Sequence, residues 1–110
     1  MPFDEEDVQL ATRIKALGHP ARLAIVRALL GAPDGACRCR DIVRDLPLAQ
    51  STVSQHLKVL REAGIIRGEI EGPRSCYWLD TQALAEVGEA MGGFQRAVAA
   101  KTAEPVGACE

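Results

Sequence analysis

Cys37 and Cys39 stand one residue apart in GACRCRDIV, each followed by an arginine, and no other pair in the chain has their chemical range. Arg38 and Arg40 favour the thiolate over the thiol, and the thiolate is the form that attacks electrophiles and binds metals. A thiolate site selects soft, thiophilic ions: Zn(II), Cu(I), Cd(II), or trivalent arsenic and antimony, for which three sulfurs suffice. Cys76 and Cys109 complete a set of four cysteines. A C-x-C pair closes too small a loop to staple a fold, so three readings stand side by side. They are metal or metalloid ligation, a redox or persulfide switch, and plain packing of a small apolar side chain. A thiol enzyme is disfavoured, because only two histidines are present and no His or carboxylate constellation accompanies the thiols.

A second set of residues has a different chemistry. In AQSTVSQHLKVLREAG, Val53, Leu57 and Leu60 recur at i, i+4 and i+7, and Gly64 stands just past the end as a C-terminal cap. Steps of about 100° then put Ser51, Gln55, Lys58 and Glu62 on the opposite side, with Thr52 and Ser54 on the flanks. Small hydroxyls, a glutamine and a cation on an uncrowded face suit the edges of bases in a major groove, glutamine matching adenine, while Lys58 or Arg61 meets guanine or phosphate. Gln50, Ser51, Thr52 and the first-turn amides suit a phosphate. Ala49 is a poor N-cap, which costs about 1 kcal/mol unless another group replaces it. His56 borders the apolar stripe, and both a packing role and a phosphate contact are open to it.

These residues need a scaffold, and the rest of the chain supplies one. DEEDVQLATRIKAL predicts a first helix with Asp4 as N-cap and Val8, Ala11, Ile14 and Leu17 along one side. GHP ends it, and Pro20 opens a second helix, PARLAIVRALL, in which Ile25 and Leu29 share a face. CRC predicts a short strand and RDIVRDL a short third helix before Pro47. IIRGEIEGPRSCYWL predicts two strands around a tip at EGPR, with Ile66, Gly68 and Ile70 alternating in one strand and Tyr77 and Leu79 in the other. A final helix runs from Asp80 or Thr81 to about Lys101. The fold class is therefore α+β, mainly α: a winged helix-turn-helix flanked by N- and C-terminal dimerisation helices. Residues 1–103 form this single domain and 104–110 a loose tail.

The same stretches resemble the ArsR/SmtB winged-helix repressors over about residues 10 to 80. LGHPARLAIVRALL is similar to that family's second helix, STVSQHLKVLREAGII to its recognition helix and following strand, and EGPRSCYWL to its wing. The resemblance implies a homodimer on double-stranded operator DNA, with Arg67 and Arg74 of the wing reaching a flanking groove or the backbone. Glu69 and Glu71 oppose that contact, so it is expected to set position rather than read sequence. Pairing has its own signal: Leu84, Val87, Met91, Phe94 and Val98 are spaced 3, 4, 3, 4 along the last helix, a seam for another helix. The first helix and a second copy are the expected cover, as in similar family members.

In the winged-helix plan the CRC strand lies beside SCYWL, which brings Cys76 near Cys37 and Cys39. Arsenic-responsive members of the family carry a C-x-C just before the third helix, followed by D-L. Matching that D-L to Asp41-Ile42 puts Arg38 and Arg40 at the ligand positions and Cys37 and Cys39 one residue early, which on a strand is the other face. Val43 stands where some members have a third ligand, and the last helix lacks the D-x-H pattern of zinc-responsive members. The expectation is a dimeric ArsR-type repressor without a required cofactor, released from its operator by a soft ion, As(III) or Sb(III) first. The alternatives are a thiol redox or persulfide-responsive repressor and a winged-helix interaction module.

Charge agrees in part. The whole chain carries −2, but from Arg38 to Arg74 seven Lys/Arg face five Asp/Glu, a central basic excess between acidic flanks. The acidic start MPFDEEDVQL does not read as a secretory signal, and no apolar run approaches the ~20 residues of a membrane span. A cytoplasmic protein with no membrane partner is expected.

Overall fold

In a computed structural model of the chain, residues 2–32, 46–70 and 76–101 are described. Their order is α1 (Glu5–Leu17), α2 (Pro20–Leu30), α3 (Gln50–Glu62), β1 (Ile66–Glu69), β2 (Cys76–Leu79) and α4 (Thr81–Lys101). The expected CRC strand, nearly all of the RDIVRDL helix, the EGPR tip and the tail fall outside the described residues.

Local chemistry accounts for most of the boundaries. Glu5, Glu6 and Asp7 meet the positive end of the α1 dipole and Lys15 its negative end. Asp4 is the N-cap by backbone, its carbonyl accepting from Val8 N at 3.0 Å, but its carboxylate makes no capping bond. Pro20 occupies the first turn of α2, where a missing N–H is harmless, and the cap is a histidine: His19 Nδ1 accepts from Ala21 N at 3.0 Å. At the end of α3, Gly64 takes φ +82°. Ile65 N then donates to Leu60 O at 2.9 Å and Gly64 N to Arg61 O at 3.0 Å, the paired bonds of a Schellman stop.

The core gathers the predicted faces. Val53, Leu57 and Leu60 of α3 pack with Ile25, Val26 and Leu29 of α2, Ala16 of α1, and Ile65, Ile66, Ile70 and Tyr77 of the hairpin. The hairpin is antiparallel, with Ile66 opposite Leu79, Arg67 opposite Trp78, Gly68 opposite Tyr77 and Glu69 opposite Cys76. Gly68 sits at φ +109°, where a side chain would run into the Cys76 carbonyl and the Trp78 ring, so this wing position requires glycine.

The first helix departs from expectation. Its inward side is Ala16 with partly buried Leu10, Arg13 and Leu17, while Ala11 and Ile14 are exposed. Phe3, Val8 and Ala11 instead line a shallow depression of about 490 Å³ on the outer surface. Only Leu17 of the predicted stripe packs against the core. The helix has two apolar sides, and periodicity alone does not tell which one its own chain covers.

The last helix divides likewise. Ala83 and Val87 are buried and Leu84 packs against the core, whereas Phe94 and Val98 are 64% and 63% exposed. Arg13 fastens α1 to α4 through a 2.6 Å ion pair with Glu86. Among the described residues no helix is long and apolar enough to cross a membrane.

Candidate nucleic-acid interface

The three aliphatic residues of α3 are clamped by α2 and the hairpin, and this fixes where its polar face points. Gln50, Ser51, Thr52, Gln55 and Lys58 are exposed, and Ser54 is half-buried. Ser51, Ser54, Gln55 and Lys58 share an open cleft of about 360 Å³ with Ile70, the residue that leads β1 into the wing. A polar helix face and the base of a hairpin thus border one concavity. The first turn adds unpaired amides, since Ala49 makes no side-chain cap. Ala49 does accept from Val53 N through its carbonyl at 3.0 Å.

Three predicted contact residues are engaged elsewhere. Arg61 is half-buried, and its Nη1 reaches Gly68 O at 3.5 Å, linking the end of α3 to the wing strand. Arg67 donates from Nε to Asp80 Oδ2 at 2.6 Å, although its side chain stays 66% exposed. Asp80 in turn caps α4, accepting from Ala83 N at 3.0 Å. The Ala83 amide and then the Arg67 guanidinium hold the Asp80 carboxyl below its ordinary range. His56 faces inward: Arg22 Nη1 lies 3.2 Å from its Nδ1, and the His19 ring lies 4.5 Å away, tilted by 47°. Burial first, then His19 and Arg22, lower the His56 pKa. Arg74 lies outside the described residues.

Sequence reasoning missed Asp80, Arg22 and His19. Asp80 stood in the sequence only as a possible first residue of the last helix, and neither its cap on Ala83 N nor its hold on Arg67 was visible there. The signal for the other two was GHP itself, in which a histidine stands at the N-cap position ahead of a first-turn proline.

Of the cysteines, Cys76 is described. It is half-buried on β2 and disulfide-bonded. Cys37, Cys39 and Cys109 lie outside the described residues. Among the described residues no group of three or more His, Cys, Asp or Glu is placed to hold a metal ion.

A helix whose apolar side is buried under a preceding helix and whose polar side opens beside a hairpin defines a winged helix-turn-helix. A family model for a helix-turn-helix domain matches residues 17–69. The chain is similar to an HTH-type transcriptional regulator of Methanocaldococcus jannaschii, 34% identical over 76% of this chain and 91% of that one. It is also 39% identical to the HTH-type transcriptional repressor SmtB of Mycobacterium tuberculosis, over 67% of this chain and 53% of the repressor, so it spans about half of that relative. An ArsR-like transcriptional regulator from Rhodococcus sp. RHA1 has the same fold, with a TM-score of 0.63 at 21% identity over 94% of this chain and all of that one. The chain belongs to the ArsR/SmtB family of winged-helix transcriptional regulators.

Proposed function

We propose that this chain is a homodimeric repressor that grips operator DNA through the Ser51, Gln55 and Lys58 face of α3 and lets go when its cysteines are modified or ligated. The observation that carries the DNA half is the exposure of those three side chains beside the wing, with Val53, Leu57 and Leu60 at 2%, 3% and 0% exposure holding the helix from behind. Gln50, Thr52 and Ser54 belong to the same surface, with Arg74 as the flanking contact. Arg67 serves the backbone only through its two outer nitrogens.

Pairing is supported by the apolar surface the single chain leaves uncovered. Met91, Phe94 and Val98 continue the seam begun by Leu84 and Val87, and Phe3 just ahead of α1 and Ala11 on it lie open. A second copy covers both, and two-fold symmetry then sets the half-sites about one helical turn, ~10 bp, apart.

The inducer follows from donor chemistry. The Cys76 disulfide withholds one of the three expected ligands; once it is reduced, Cys37, Cys39 and Cys76 offer sulfur alone, a set that fits As(III), Sb(III) or another soft ion and not a hard cation. Such an ion releases DNA if it binds better to a dimer geometry that fits the duplex less well, a coupling of about 1–3 kcal/mol. The Cys76 disulfide supports a second reading, in which oxidant or persulfide acts on the same thiols. One titration separates the two. Arsenite added to the reduced repressor on a fluorescent duplex is expected to lower affinity about 5- to 150-fold, and Cys39→Ser is expected to abolish that response while leaving unliganded binding intact. Release by oxidant but not by arsenite selects the second reading. Joint loss of fold and response in the variant returns the thiols to packing.

A further inference from the structure

Three structural elements meet at Arg22. Its Nε donates to the Ala16 carbonyl near the end of α1, and its Nη1 faces His56 Nδ1 on α3 at 3.2 Å. Arginine has no acceptor and does not lose its proton, so it is the donor and His56 Nδ1 is the acceptor. His19, at the α1–α2 junction, sets its tilted ring 4.5 Å from that of His56 and spends its own Nδ1 accepting from Ala21 N at 3.0 Å. The His56 imidazole is therefore used with Nδ1 unprotonated. Protonating it removes the acceptor and puts a second cation beside Arg22.

We propose that Arg22, His19 and His56 form a positioning junction that sets the recognition helix against α1 and α2, and that acid weakens DNA binding by breaking it. This rests on the DNA-binding reading above. His19 and Arg22 are the charged or titratable described groups that act on His56; from α1 the contact is the uncharged Ala16 carbonyl, reached through Arg22. No described carboxylate stands there to welcome an imidazolium. The chain contains two histidines, and both are in this junction.

The sign separates this role from the phosphate contact that the sequence also allowed. A histidine that donates to phosphate binds DNA better as it gains a proton, whereas a junction histidine binds worse. The pKa of His56 is lowered in the fold, so the unfolded chain takes up protons first: the junction's contribution to stability is complete above about pH 6.5 and is lost as pH falls below it.

The experiment is fluorescence anisotropy of the reduced full chain on a duplex selected from a random-sequence pool, from about pH 7.5 down to about pH 5.5. The wild type is expected to lose affinity about threefold to tenfold. His56→Gln, which keeps an acceptor for Arg22 but does not titrate, is expected to bind at neutral pH and to flatten the profile. His19→Asn, which keeps a side-chain cap for Ala21 N but removes the ring beside His56, is expected to reduce the acid loss and serves if His56→Gln fails to fold. An affinity that rises in acid, or an acid loss unchanged in these variants, overturns the junction. A wild-type chain that binds no selected duplex at any pH overturns the DNA-binding reading instead.

Discussion

Alanine at both Gln55 and Lys58 lowers operator affinity by at least about 100-fold and leaves the unfolding midpoint where it was. Both side chains are exposed, and neither makes a hydrogen bond or ion pair with a described residue, so their removal leaves no unsatisfied group behind. A glutamine paired with adenine contributes about 1–3 kcal/mol of discrimination. Lys58 adds a phosphate or guanine contact, and a two-fold dimer presents each residue twice. Even about 1.4 kcal/mol per subunit doubles to two powers of ten. The two losses differ in kind: Gln55→Ala relaxes preference at one base pair, while Lys58→Ala, if its contact is phosphate, weakens all duplexes alike and flattens the salt dependence. Anisotropy with matched and mismatched duplexes reads both, and a circular dichroism melt checks the fold. An affinity unchanged in the double variant would remove α3 from the DNA.

Leu60→Ala acts on the other side of the same helix. Leu60 is 0% exposed and its carbonyl accepts the Schellman bond from Ile65 N, so it anchors both the α3 underside and the turn into the wing. Truncating a fully buried leucine costs about 2–5 kcal/mol in lost transfer energy and cavity, out of a total of about 5–15 kcal/mol for a domain. The midpoint is expected to fall by more than about 10 °C. The single tryptophan, Trp78, sits on the strand facing β1 and provides a fluorescence signal for the unfolding. Val59→Ala, on a partly exposed neighbour at 37%, is the control and should cost far less.

What could be read ahead of the structure was whatever local periodicity decides. Val53, Leu57 and Leu60 face the core because their spacing permits one buried side, and Gly64 stops the helix because few other residues adopt its backbone angle readily. The hairpin followed from alternation, and Ile66, Ile70 and Tyr77 are all buried. Long charged side chains were a different matter. Arg61 and Arg67 lie on surfaces the pattern marks as polar, yet they reach Gly68 O and Asp80, and such reach depends on how elements cross. His56 lay at the boundary of its wheel, and its partners Arg22 and His19 lie 34 and 37 residues away along the chain. The two-sided α1 misled for a related reason: a stripe reports that something covers it, and the cover is not within the described part of this chain.

The salt dependence of wild-type binding tests most directly whether the polar side of α3 lies in duplex DNA. With each subunit neutralising several phosphates, the logarithm of the association constant should fall linearly with the logarithm of salt concentration, with a slope of about −0.9 for every phosphate contacted. A steep line for the wild type that becomes shallower when Lys58 is replaced is the predicted result. A flat line, or a steep one indifferent to Lys58, would contradict the placement of this helix on DNA.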